Sequence, residues 1–180
     1  MISDSRSGAS LLAWALRSAR QHTLALVRDV DAGDGVRQAT AGERHPVWIL
    51  GHLLLGDVYL LSLLQTAPLP PDFHALLSAY GPGAAPTDTA GAYAPMPRLV
   101  DRLTRTGELR FRAVQDASPE ELSRATPDDV LVQTQPTLAH HLQALVFHEG
   151  YHGGQLAAWR RNHGLAPVPW VFAPGASGEA

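Results

Sequence analysis

The chain has no cysteine and no lysine among its 180 residues. The absence of cysteine excludes a disulfide framework, an iron–sulfur cluster, a thiolate zinc site and a cysteine nucleophile. The absence of lysine excludes Schiff-base chemistry on the protein. All 14 basic side chains are therefore arginine, set against 17 acidic ones, for a formal charge of −3. No basic run occurs, so the electrostatic footprint of a nucleic-acid binder is missing. No uninterrupted stretch long enough to span a membrane is present, and the segment MISDSRSGAS has no apolar region behind a basic cluster. The expectation is a cytoplasmic protein with no membrane span and no secretory signal. A chain of this length suggests one domain and buries enough surface to fold without a metal or a crosslink. What it has in quantity is histidine, nine residues in all. Any bound metal must be held by nitrogen and oxygen.

Hydrophobic periodicity predicts four long helices and little strand, an all-α four-helix bundle. The first helix starts near Ser7–Ser10 and runs to about Val30, with Leu12, Leu16, Ala19, Thr23, Leu26 and Val30 as its buried stripe. The second starts near Arg44–His45 with Pro46 at its first position, where the missing N–H costs nothing. It continues to about Thr66 and is apolar on nearly all sides, the mark of a core helix. His52 and Asp57 within it favour burial over a membrane. Residues 67–97 are rich in Ala, Pro and Gly, with a short helical turn predicted at Phe73–Ala79. A connection this long is a functional loop or a crossover that lets the flanking helices run parallel. The third helix is predicted from Arg98 to about Ala117, with Leu99, Leu103, Thr106, Leu109/Arg110 and Ala113 inward and an Asp101–Arg105 pair outward. Ser118-Pro-Glu-Glu121 reads as a capping box opening a short helix to Arg124. Residues 130–133 read as extended or loop. The fourth long helix runs from Pro136–Thr137 to about His163 and stops at Gly164. A bundle over 1–165 is expected, followed by a Pro/Gly-rich tail over 166–180, frayed at its end.

The fourth helix carries His148-Glu-Gly-Tyr-His152. The four-residue spacing puts both imidazoles on one face, about 5–6 Å apart at Cβ, so both can reach one ion. With nine histidines, chance supplies such a pair often, and the spacing alone is weak. The setting adds weight. His52 stands among leucines, where an imidazole needs a partner. The plain reading is a core histidine bonded to a backbone carbonyl. The core shows no other obvious polar partners, however, and one ion would satisfy His52, His148 and His152 together, as in other bundle sites.

The same segment matches His-Glu-x-x-His, so a zinc hydrolase with Glu149 as general base is a competing reading. Gly150, Gly153 and Gly154 are poor helix formers around that motif. His163 is the only downstream third ligand, and no strand is visible to hold a peptide. The reading also leaves His52 unexplained.

Two segments together resemble the DinB/YfiT-like metalloenzyme family. One is HPVWILGHLLLGD, with a Trp four residues before a His in an apolar helix. The other is HEGYHGGQLAAWRRNHG, similar to a His-x-x-x-His-x-Gly-Gln pattern followed by Arg. The order and separation of the helices agree over most of residues 8–165. The resemblance implies a four-helix bundle with a long crossover between its second and third helices. It also implies a divalent metal held by one histidine of the second helix and two of the fourth, which are His52, His148 and His152. Gln155 becomes a candidate to bond a ligand or a bound water. Glu149, about 100° around the helix from His148, is expected to face a neighbouring helix or solvent and stays a candidate for reaching the site.

Three histidine ligands leave open positions, as a catalytic site requires. The resemblance makes transfer of a low-molecular-weight thiol to an electrophile the leading chemistry, with hydrolysis of a small substrate beside it. The thiol would be a cosubstrate, since the chain has no cysteine. Imidazole ligands suit Zn, Ni, Fe and Mn alike. His45 and His141 each lie seven residues before a proposed ligand, on nearly the same face, and are candidates for acid–base work. The plainer reading for both is a solvated helix histidine. Tyr59 and Tyr151 are candidates for the pocket. Arg160 and Arg161 either hold a substrate carboxylate or complement the helix C-terminus. The remaining four histidines read as surface or helix-end residues. A small-molecule substrate is expected, and the apolar second helix allows a homodimer. The alternative from another class is a non-enzymatic stress-response protein that binds a metal or small molecule.

Overall fold

The computed structural model describes residues 6–89, 91–127 and 131–169. They form helices α1 (Arg6–Val27), α2 (Pro46–Leu63), α3 (Phe73–Tyr80), α4 (Met96–Asp116), α5 (Pro119–Ser123) and α6 (Leu138–Asn162). Among the described residues there is no strand, only an isolated bridge between Ala125 and Thr137. The architecture is all-α, with α1, α2, α4 and α6 as the four long members.

Side-chain contacts fix their directions. Gly35, just before α2, lies against both Val47 and Met96, so the N-terminal ends of α2 and α4 sit together. Further on, Asp57 of α2 meets Thr106 and Arg110 of α4. These two helices therefore run parallel, as the crossover between them allows. Arg20 bonds the Leu103 carbonyl and Arg110 bonds the Leu16 carbonyl, so α1 and α4 are antiparallel. Trp48 lies beside His152 and Tyr59 beside His141, so α2 and α6 are antiparallel.

The elements begin and end for local reasons. His45 caps α2 by accepting from the Trp48 N–H, with Pro46 next. That helix stops at Leu63, not Thr66, and Gln65 beyond it adopts a left-handed φ of 56°. α2 is long and apolar enough to cross a membrane, but 72% of it is buried inside the bundle. Ser118 and Glu121 form the expected capping box of α5. Asp101 and Arg105 pair on the wet face of α4. Gly164, at φ 71°, follows the end of α6.

One expectation needs correction and two open alternatives are decided. α1 ends at Val27; Leu16, Thr23, Leu26 and, beyond the helix, Val30 are buried as expected, but Leu12 and Ala19 are only partly buried, and Ala9, Ala13, Arg20 and Val27 join the buried face. In α4, Leu109 is exposed and Arg110 is buried. Residues 131–133 form a 3₁₀ turn, not an extended segment. Val130 and, within the tail, residues 170–180 lie outside the described residues.

A candidate metal centre

His52 lies near the middle of α2, and His148 and His152 lie one turn apart on α6. Antiparallel packing brings them together. The His52 and His148 Nε2 atoms are 3.0 Å apart, and the His152 and His148 Nε2 atoms 3.1 Å. One nitrogen from each residue lies within 4.8 Å of the other two. Two imidazole nitrogens sharing an ion at ~2.0–2.1 Å stand at most about 4.2 Å apart, and both measured separations meet that limit.

Outer partners orient two of the three rings. His52 Nδ1 lies 2.6 Å from the Tyr80 carbonyl, which can only accept, so Nδ1 carries the proton. Gln155 donates from Nε2 to the Tyr151 hydroxyl (3.1 Å), which turns its Oε1 toward His152 Nδ1 at 2.7 Å. His152 Nδ1 is thus also protonated. Both rings present bare Nε2 lone pairs to the centre, as metal-ligating histidines do. A single proton on His148 Nε2 can serve only one of them. A cation can serve all three, so the donor set fits a divalent ion.

Burial and mutual proximity keep the rings neutral. Burial, with His52 close by, pushes the His148 pKa down to about 4. Burial, then His148 and His52, pushes His152 down to about 3. Burial also lowers His52, although its bond to Tyr80 opposes the shift. Neutral imidazole is the form that ligates.

The crossover builds this end of the bundle. Tyr80 at the end of α3 lies flat against α2 at Gly51, where an added Cβ would stand 2.2 Å from the Tyr80 ring. Only glycine permits that approach, and the approach delivers the carbonyl that holds His52. Trp48 stacks on the other side of His52, at 4.8 Å and 14° between ring planes. Next to the triad is a cavity of about 580 Å³ with His52 and His148 in its wall. Tyr59, Gln135 and His141 line it too, together with Phe73, Leu77 and Pro82 from the crossover.

The other candidates divide. Gln155 bonds a triad member, as its position suggested. His141 is buried, not solvated, and its Nδ1 lies 2.6 Å from Gln135 Oε1 in the cavity wall. Tyr59 lines the cavity; Tyr151 is 53% exposed, packs edge-on against the His152 ring at 5.2 Å and accepts from Gln155. His45 is neither solvated nor a pocket residue. It is fully buried as the cap of α2, with Nε2 3.0 Å from the Thr87 carbonyl. Arg160 is buried and pairs with Asp29 while bonding the carbonyls of Leu26 and Ala166, so it ties helix ends and holds no substrate; Arg161 is exposed. His74 and His140 are exposed, His163 ends α6 stacked on Trp159, and His22 is half-buried against Gly153.

Glu149 does not reach the triad. It is 1% exposed, facing α1 and α4. Its Oε1 accepts from Arg20 Nε at 2.6 Å, and its Oε2 accepts from Arg110 Nη2 at 2.9 Å. With both oxygens engaged by guanidinium groups, it cannot act as the base of a His-Glu-x-x-His hydrolase. Asp57 completes the cluster, accepting from Arg20, Arg110 and the Thr106 hydroxyl, each at 2.7 Å. This four-charge network joins all four long helices, and it overturns the expectation of a core without polar partners. Its signal in the sequence was four charges at stripe positions: Asp57 in an apolar run, Arg110 beside Leu109, Arg20 in the register of Leu16 and Thr23, and Glu149 within the histidine motif.

No curated protein matches the chain. The family model of the DinB superfamily matches residues 15–156, a span that takes in His52, His148 and His152. With most of its length inside that match, the chain belongs to the DinB superfamily.

Proposed function

We propose that this protein is a divalent-metal-dependent enzyme, with His52, His148 and His152 as ligands, that transfers a low-molecular-weight thiol to an electrophile or hydrolyses a small substrate. The observation that carries the reading is the position of the triad: three convergent imidazoles, two of which, His52 and His148, stand in the wall of a substrate-sized cavity. A closed structural site would have four protein ligands and no such opening. A divalent cation, when bound, supplies the Lewis acidity that keeps a thiol or a water ionised at neutral pH. The chain's own groups supply the rest. Tyr80 and Gln155 hold two rings in the ligating tautomer, and Trp48 fixes the plane of His52. The cavity receives the second reactant beside the triad. The sulfur comes from a cosubstrate, because the chain has no cysteine.

The test is elemental analysis of the purified protein, followed by thiol-consumption assays with an activated aryl chloride. About one ion per chain is expected, and none in a His52→Ala/His148→Ala variant of unchanged helicity. Unchanged metal content in that variant would sink the site. Metal without turnover of any thiol or ester would favour a metal-binding protein of another role.

A further inference from the structure

The cavity beside the triad also constrains what can occupy it. At about 580 Å³ it is of the size that takes a drug-like small molecule. Leu55, Phe73, Leu77, Pro82 and Leu145 give it apolar walls. Its polar side chains are Tyr59, Gln135, His141 and the two triad histidines, none of them permanently charged. No arginine, aspartate or glutamate among the described residues lines it. The charges buried nearby, Arg20, Asp57, Arg110 and Glu149, are paired with one another. A ligand charge pressed against these walls remote from the triad would lose water without gaining a fixed counter-ion. Along α6, His141 lies two turns from His148, about 10.5 Å, so the cavity extends well beyond reach of an ion at the triad. Small residues keep it open: Ala144 lines it, and a Cβ added at Gly56 would meet only Leu145, at 3.8 Å.

We infer that the molecule received here is neutral and mainly apolar over the part remote from the triad, an aryl or alkyl electrophile or ester and not a carboxylate-bearing metabolite. This rests on the proposed function only for the identity of the reacting end. The cavity's preference is measurable without turnover.

The probe is N-phenyl-1-naphthylamine, a neutral dye that brightens in apolar surroundings, titrated into the metal-loaded full chain. Its sulfonated analogue is the control, because sulfonate is a feeble metal ligand and so reports on the walls. The neutral dye should bind about tenfold or more tightly than the sulfonate. Ala144→Leu and Gly56→Leu, which fill the space from α6 and α2, should each weaken the neutral dye by about tenfold with metal content intact and no loss of melting temperature. Equal affinity for the two dyes, or binding that neither filled variant disturbs, would overturn the inference. Dye binding as expected in a protein that takes up no metal would refute the metal centre and leave the cavity assignment standing. Metal uptake with no preference for the neutral dye would do the reverse.

Discussion

Two polar clusters sit in one helical core and obey opposite rules. In the first, Arg20, Arg110, Asp57 and Glu149 balance two positive charges with two negative ones, and the carboxylate oxygens meet guanidinium or hydroxyl donors. The cluster is charge-balanced and joins four helices, and every carboxylate oxygen in it already accepts from a neighbour. In the second, His52, His148 and His152 turn like groups toward one another, with Nε2 atoms 3.0 and 3.1 Å apart and two of the three outer nitrogens already bonded. Such crowding of lone pairs suits a positive occupant. A self-neutralised cluster marks structure, and a convergent set of like donors marks a site.

The largest effect expected from breaking this contrast is in the closed cluster. Asp57→Ala leaves Arg20 and Arg110 with one carboxylate between them and should cost about 3–5 kcal/mol, read from urea denaturation. Burial alone would raise the Asp57 pKa, but Arg110 and Arg20 outweigh it and hold the carboxyl below its ordinary range. A carboxyl depressed in the folded state contributes stability above its unfolded pKa, about 3.9, and that contribution disappears as pH falls through the folded value. Urea midpoints should therefore hold from pH 7 to about 5 and drop below about 4. An Asp57→Ala chain should show a shallower drop.

The open cluster should respond in affinity more than in stability. Gln155→Leu removes the acceptor that fixes the His152 tautomer and should weaken metal binding by about 10–100-fold, measured by competition with a chelator. The metal-free protein should melt almost unchanged. A large loss of metal-free stability would mean that the triad, too, is structural.

The smallest effects separate two glycines on α2. Gly51→Ala would push a Cβ into the Tyr80 ring and should destabilise by about 1–3 kcal/mol while disturbing the bond to His52. Gly56→Ala, facing the cavity, should stabilise by up to about 1 kcal/mol through helix propensity. Thermal melts of the two single variants decide this, and equal changes would show that the crossover does not lean on Gly51.

Much of the bundle was legible because helix formation is local. The apolar run of α2, Pro46, the Ser118–Glu121 box and Gly164 act through neighbouring residues, and their positions came out within a few residues. The triad was legible for a similar reason: four-residue spacing puts His148 and His152 on one face by helical geometry, and a histidine inside a leucine run needs a partner. Glu149 was harder, because an angle of 100° from His148 leaves its neighbour unnamed; packing against α1 and α4 turned it into the ion network. His45 was misleading, since its heptad spacing from His52 suggested a shared pocket while its place before Pro46 made it a cap.

The chain by itself determined four long helices, the His148–His152 pair on one face and a dependence on outside sulfur for any thiol chemistry, since each follows from composition or from spacing along one helix; His52 joined the pair through its leucine surroundings and the family resemblance. Tertiary structure alone decided which polar groups meet. Arg20, Asp57, Arg110 and Glu149 lie on four different helices, and Tyr80 reaches His52 only because α3 packs on Gly51. Charge pairing and carbonyl contacts across 28 to 129 residues depend on helix direction and rotation, which packing sets and no local pattern records.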